Sequence, residues 1–231
     1  MPKLDEIRTN ATLRDATEGQ LPHLAIALLM ALGATALLQP STGTAFWISA
    51  LAWAKLSIWL AVAHQVMVAF VFRAQLYNSL MTRAFGGSDL RVWGAMFFPF
   101  LLARPLTVLL AAIADTGTLA LWWPAAAALG TILIAIAAWT MHSVLTHFTL
   151  PRALGGDHFR DEYLAMPMVQ TGVFRYTGNG MYGLGFLGLW GIALLFNSWN
   201  ALVVAFFQHA YIWVHMYFTE KPDMDRLYGT E

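Results

Sequence analysis

The chain has 231 residues, is 58% hydrophobic and only 11% charged, and is formally neutral, whereas soluble domains run about 45–50% apolar and about 25% charged. These figures exclude an ordinary water-soluble globule, argue against a nucleic-acid partner, and place the chain in the lipid bilayer as a single bundle. No cysteine is present, which removes disulfides, thiolate metal sites and cysteine nucleophiles.

In chain order, the first twenty residues carry mixed charge and no apolar core, so they read as a polar arm rather than a signal peptide. Six apolar segments follow: Leu24–Leu38, Ala45–Phe72, Val92–Ala114, Leu119–Met141, Tyr182–Phe196 and Ala201–Phe218. A spanning helix needs about 20 apolar residues, and backbone polar groups in lipid must pair internally, so the segments are predicted to be helices. The expected fold is an all-α integral membrane protein, a bundle of about six transmembrane helices ending in a helical hairpin. Its parts are an arm (1–22), a four-helix membrane region (23–141), a polar segment with a turn motif (142–181), the hairpin (182–218) and a tail (219–231). Segment one is short, so a bundle with four true spans and an interfacial first helix is the alternative.

Of the 13 Lys and Arg residues, all but Lys55 and Arg104 fall on the arm's side when the six segments alternate. The opposite turns (39–44, 115–118 and 197–200) hold none. By the positive-inside rule the chain is a multi-pass protein with both termini cytoplasmic. Lys55 either snorkels or pairs inside the bundle. Arg104, beside Pro105, is a functional candidate because intramembrane arginines are costly; a structural ion pair and a lipid-headgroup contact are its two readings.

Polar residues gather on the cytoplasmic side. The interval 142–180 carries DHFRDEY (157–163), and GVFRYTGNGMYGLG (172–185) leads into segment five. Gly178-Asn179-Gly180 reads as a sharp turn needing glycine's backbone freedom. Gly183, Gly185 and Gly188 suit either close helix packing or the approach of a flat ligand. The NSWN turn (197–200) is short, so GNGMY and TEKP at the far ends of the hairpin must be neighbours. Along segment six, 100° per residue puts His209, Trp213, Tyr217 and Glu220 on one face. That face is expected to look into the bundle, with interfacial anchoring by Trp213 and Tyr217 as the alternative. No metal is expected: His142 and His147 lie on opposite helix faces with no carboxylate to complete a set, and neither HExxH nor GxSxG occurs.

These residues resemble the membrane-embedded methyltransferases, the family that comprises phospholipid N-methyltransferases and isoprenylcysteine carboxyl methyltransferases. The family motif has the form G-x-x-R-x-x-R-H-P-x-Y-x-G before a hairpin, with acidic residues after it. Gly172-Val173-Phe174-Arg175 matches its first part, and Asn179, Met181 and Tyr182 match an N-P-M-Y variant. Gly-Asn-Gly replaces Arg-His-Pro, and Glu220-Lys221 replaces a glutamate pair. The GVFRY start and the E-K-P-x-M-x-x-L-Y-G ending are most similar to fungal-type phosphatidylethanolamine methyltransferases. The resemblance implies an S-adenosylmethionine pocket built by the hairpin and tail, with Arg175, Asn179, Tyr182, Gly183, Gly185 and Glu220 on the cofactor side. It further implies a phospholipid amine as acceptor; by closeness to such a pocket Glu220, His215 and His209 are the candidate bases, and Arg104 or Arg160 is the candidate to hold the lipid phosphate. The alternatives are a carboxyl methyltransferase acting on prenylated cysteine and a non-catalytic lipid-binding protein.

Overall fold

The computed structural model describes residues 2–229; Met1 of the expected arm, and Thr230 and Glu231 of the expected tail, lie outside the described residues. The arm forms two short helices, α1 (Lys3–Asn10) and α2 (Leu13–Thr17). Thr12 and Asp15 close a reciprocal capping box at the start of α2. Helix α3 (Gln20–Leu37) follows, and α2 with α3 makes a 25-residue apolar stretch, so the segment that looked short is long enough to span. Pro22 joins it because the first-turn amides of a helix have no helical partner to lose.

Segment two does not start as a helix at Ala45. Strands β1 (Thr44–Ala45) and β2 (Ile48–Ser49) pair antiparallel around Phe46 and Trp47, whose φ angles are +49° and +62°. Two left-handed residues suit the tight turn of a hairpin. Ser49 then caps α4 (Ala50–Asn78) by accepting from the Ala52 amide. Next come α5 (Leu80–Phe85), α6 (Asp89–Ala114), which runs unbroken through Pro99 and Pro105, and α7 (Trp123–Ser143). The polar segment holds α8 (Leu150–Ala153) and α9 (Asp161–Leu164). The hairpin is α10 (Leu187–Leu195) and α11 (Trp199–His215), and the tail is α12 (Lys221–Tyr228).

The all-α membrane class is borne out: among the described residues, five helical stretches are long and apolar enough to cross a membrane. The sixth apolar helix, Met181–Leu195, is the short one. At 1.5 Å per residue it reaches about 22 Å, against about 30 Å of hydrocarbon.

Helix α11 is the axis, packed against α3, α4, α6 and α10, while α7 packs on α10. Buried alanines line the contacts (Ala27 and Ala31 of α3, Ala54 and Ala61 of α4, Ala111 of α6, Ala201 and Ala205 of α11). Small residues let backbones close up where lipid supplies no hydrophobic drive. A close approach joins α7 and α10, where a Cβ built on Gly191 would lie 2.6 Å from the Gly130 carbonyl oxygen. Gly191→Val is therefore expected to cost at least about 1–3 kcal/mol by overpacking, read as a lower melting temperature in detergent.

The three turns expected on one side of the membrane do meet at one end of the bundle. Asp115, buried, accepts from Ser198 Oγ (2.8 Å), the Asn200 amide (2.8 Å) and Thr118 Oγ1 (2.7 Å). Asn200 in turn exchanges hydrogen bonds with the Gln39 backbone (2.8 and 2.9 Å). Exposed Phe46, Trp47, Trp122 and Trp123 ring this end, as interfacial anchors do. At the opposite end the arm meets the tail through Arg226, 2.8 Å from both Asp15 and Glu18. Lys55 is exposed and unpaired among the described residues, which leaves its ammonium free to snorkel.

Candidate active site

Both hairpin helices change winding as they approach the arm's end. Met181–Gly185 and Met216–Glu220 are π-helical turns, a form that concentrates at functional sites. The wider turns bring Tyr182 and Glu220 into contact: the Tyr182 hydroxyl donates to Glu220 Oε2. Glu220 Oε1 lies 3.4 Å from Nε2 of His215, whose ring is fully buried. Trp213 meets the Tyr182 ring edge-on at 6.2 Å. The closeness of the two hairpin ends, expected from the short turn, is observed.

The aromatic stripe is a correction. Trp213 is 38% and Tyr217 62% exposed, so this face of α11 does not look into the bundle. The inward face carries Gln208, Tyr211, Ile212, His215 and Thr219. Trp213 precedes the π turn, on regular helix where Gln208, Tyr211, Ile212 and His215 take the inward side; the π turn shifts phase only beyond it, at Tyr217 and Glu220. His209 and Glu220 accordingly have different surroundings. His209 stacks on Phe186, and its Nδ1 accepts from Trp190 Nε1 at 3.0 Å.

The glycines divide by what surrounds them. A Cβ on Gly183 would meet nothing within 4 Å, and one on Gly185 only ordinary contacts at 3.8–3.9 Å. Gly188 is packed, 3.0 Å from the Ala137 Cβ. The turn at Gly178-Asn179-Gly180 forms without left-handed backbone; the residue that needs glycine is Gly172, with φ +59° and Ser143 Oγ 2.7 Å from a built Cβ. Ser143 Oγ accepts from the Val173 amide there. Arg175 and Asn179 are exposed, and their side chains make no hydrogen bond among the described residues. Asn179 contributes through its carbonyl, which accepts from the Tyr182 and Gly183 amides.

A buried ionic cluster, missed at the level of sequence, braces the π turn from behind. Arg73, at the end of α4, donates to the Phe218 and Thr219 carbonyls (3.4 and 3.3 Å) and lies 3.1 Å from Asp223 Oδ1. Asp223 Oδ2 is 3.4 Å from His158 Nε2, and Asp157 Oδ1 is 2.9 Å from His158 Nδ1. Burial opposes the charged His158 ring, but the two carboxylates outweigh it and hold its pKa up at about 10. Burial likewise pushes the Asp157 carboxyl up, yet its hydrogen bond with His158 holds it below the usual range. Arg160 is engaged elsewhere: both terminal nitrogens bind Asp89, at 2.8 and 2.6 Å. Arg104 is buried in the bundle, and its guanidinium sits 5.2 Å from the Phe186 ring centroid. Among the described residues, no group of three or more His, Cys, Asp or Glu is placed to hold a metal.

Known proteins resemble the carboxy-terminal part of the chain, which holds the Tyr182–Glu220 junction. Residues 125–231 match the family model described as phospholipid methyltransferase. The phosphatidylethanolamine N-methyltransferase of Yarrowia lipolytica is 35% identical over 111 residues, 47% of this chain and 11% of the relative. The enzymes of that name from Debaryomyces hansenii and Uncinocarpus reesii are 31% and 32% identical over 103 and 101 residues, 44% of this chain each and 12% and 10% of the relatives. The matched stretch thus spans about a tenth of the length of these relatives. No solved structure matches the chain. The resemblance read from GVFRY and EKP is borne out: over residues 125–231 the chain matches the phospholipid methyltransferase family and is similar to the fungal phosphatidylethanolamine N-methyltransferases.

Proposed function

We propose that the protein transfers a methyl group from S-adenosylmethionine to the amine of a phospholipid headgroup, phosphatidylethanolamine or its methylated derivatives. The arm and tail then lie on the cytoplasmic side. The observation that carries this reading is the Tyr182–Glu220 junction beside the open face of Gly183.

The residues fit such a donor. Glu220 remains 21% exposed and can accept from hydroxyl or ammonium groups. Arg175 has an unspent guanidinium suited to a carboxylate. The Tyr182 and Trp213 rings offer π faces to a cation. When bound, S-adenosylmethionine supplies a methyl group already activated on a positively charged sulfur, so alignment is the protein's main task.

The acceptor amine must first lose a proton, because an amine with a pKa near that of lysine, about 10.4, is mostly ammonium at neutral pH. Glu220 is the group at the junction able to take it, and His215 Nε2, 3.4 Å further on, is the next acceptor. The tightly bonded Nδ1 of His209 makes that ring the weaker candidate. The short helix Met181–Leu195 supports lateral entry, since the lipid keeps its tails in the bilayer while its headgroup reaches Glu220.

Purified protein in nanodiscs with methyl-labelled S-adenosylmethionine tests the proposal. Label in N-methylated phospholipid supports it; label in a base-labile ester of a prenylated cysteine peptide, or no cofactor binding by calorimetry, overturns it. Single cysteines at Thr9 and Thr42, probed with an impermeant maleimide, report the orientation. Gly183→Ala should weaken cofactor binding by narrowing the open face, with an unchanged melting temperature because nothing lies within 4 Å of the added Cβ.

A further inference from the structure

Arg104 presents a charge-balance problem. It lies within α6, is 4% exposed, and forms no ion pair with any carboxylate among the described residues. Its Nε donates to Gln208 Oε1 at 2.8 Å, and Nη1 lies 3.4 Å from His64 Nδ1. Nη2 has no partner. Guanidinium is always protonated and only donates, so Nδ1 of His64 is the acceptor in that contact. The neutral His64 ring then carries its proton on Nε2, which also has no partner although the residue is 1% exposed. One buried Arg–His pair therefore holds two unspent donors and an uncompensated positive charge.

Among the described residues, nothing else nearby balances that charge. Gln208 spends its amide on Ser57 Oγ, which also accepts from Thr107. The Phe186 ring recovers only part of a buried cation's lost hydration. The other fully buried imidazoles, His23 and His215, bring no negative charge.

We propose that Arg104 and His64 form an oxyanion-binding site inside the membrane region, and that the oxyanion is the phosphate of the acceptor lipid. Identifying the anion as lipid phosphate rests on the proposed methyl transfer; the anion site itself does not. Phe186, under the guanidinium, follows Tyr182 by four residues across the π turn, on the same helical stretch Met181–Leu195. The site and Glu220 thus offer a cation and an anion to the two ends of a zwitterionic headgroup. The carboxylate of S-adenosylmethionine is the other source of the same chemistry.

Two substitutions test it in the full chain in phosphate-free detergent. Arg104→Gln removes the charge; Gln208→Glu supplies the missing counter-ion 2.8 Å from Arg104 Nε and competes with any ligand. The probes are dihexanoyl-phosphatidylethanolamine, followed by its phosphorus resonance, and S-adenosylhomocysteine, followed by calorimetry. Both variants are expected to weaken the lipid roughly 10- to 100-fold, the scale of a lost charge-assisted hydrogen bond, and to leave S-adenosylhomocysteine unaffected. Gln208→Glu is also expected to raise the melting temperature, which a variant that merely misfolds does not do. Weakening of S-adenosylhomocysteine alone retains the anion site and reassigns the anion to the cofactor. Unchanged binding of both probes by Gln208→Glu, or no lipid binding by wild type, overturns the proposal. Wild type that binds both probes but labels no lipid retains the site and refutes the methyl transfer.

Discussion

Glu220→Gln is expected to lower kcat/KM for methyl transfer about 10²- to 10⁴-fold, the usual weight of a positioned proton acceptor, while the bundle melts as in wild type. Glutamine keeps the shape of glutamate and can still accept from the Tyr182 hydroxyl, but it cannot take a proton from an ammonium. Glu220 lies at the rim, 21% exposed, so its loss leaves the buried core intact. Tyr182→Phe removes only the donor that orients the carboxylate and should cost about tenfold. The pH profile separates the roles. Glu220→Gln should approach wild type as alkali deprotonates the lipid amine unaided, whereas Tyr182→Phe should stay reduced throughout. Wild-type rates for Glu220→Gln at pH 7 would remove it from the chemistry.

How far this site was legible follows from which interactions are local. The meeting of Tyr182 and Glu220 was readable because a four-residue turn leaves two antiparallel helices little choice of neighbour. The end of the bundle at Asp115 was readable because three short turns free of Lys and Arg had to share one side. The inward face of α11 was not readable, because a 100° spacing fits the stripe through Trp213 as well as the buried row Gln208, Ile212 and His215, and only the packed neighbours α3, α4 and α6 choose between them; the π turn at MYFTE shifts phase only beyond His215. Glycine's necessity was misplaced, since Gly178 and Gly180 advertise a turn while the left-handed residue is Gly172, set by the remote Ser143 and His147 side chains. Arg73, His158 and Asp223 come from three separate elements. No periodicity links them, and only the assembled bundle makes their charges complementary.

That cluster yields the largest expected change in stability. Asp223 is fully buried, faces Arg73 at 3.1 Å and His158 at 3.4 Å, and so answers two buried cations at once. Asp223→Asn should destabilise the protein by about 3–5 kcal/mol, because removing one partner of a buried pair strands the other. The pH dependence follows from His158, whose pKa rises from 6.5 to about 10 on folding. A group whose pKa is raised by folding stabilises fully below its unfolded value and loses that contribution as pH climbs through the folded one. Wild type should therefore lose stability between about pH 6.5 and 10, at up to about 1.4 kcal/mol per pH unit. The depressed Asp157 carboxyl acts oppositely and withdraws its contribution only in acid. Melting of Asp223→Asn should be lower and flatter with pH, because one of the two carboxylates that raise His158 is gone. Since Arg73 also holds the Phe218 and Thr219 carbonyls, loosening the cluster frees the turn that presents Glu220. Amine methylation should then rise with pH as the acceptor deprotonates and fall near pH 10 as the loosened turn no longer holds the site's residues in place. If Asp223→Asn melts with the wild-type slope, His158 does not link the cluster to pH, and the alkaline fall must have another source.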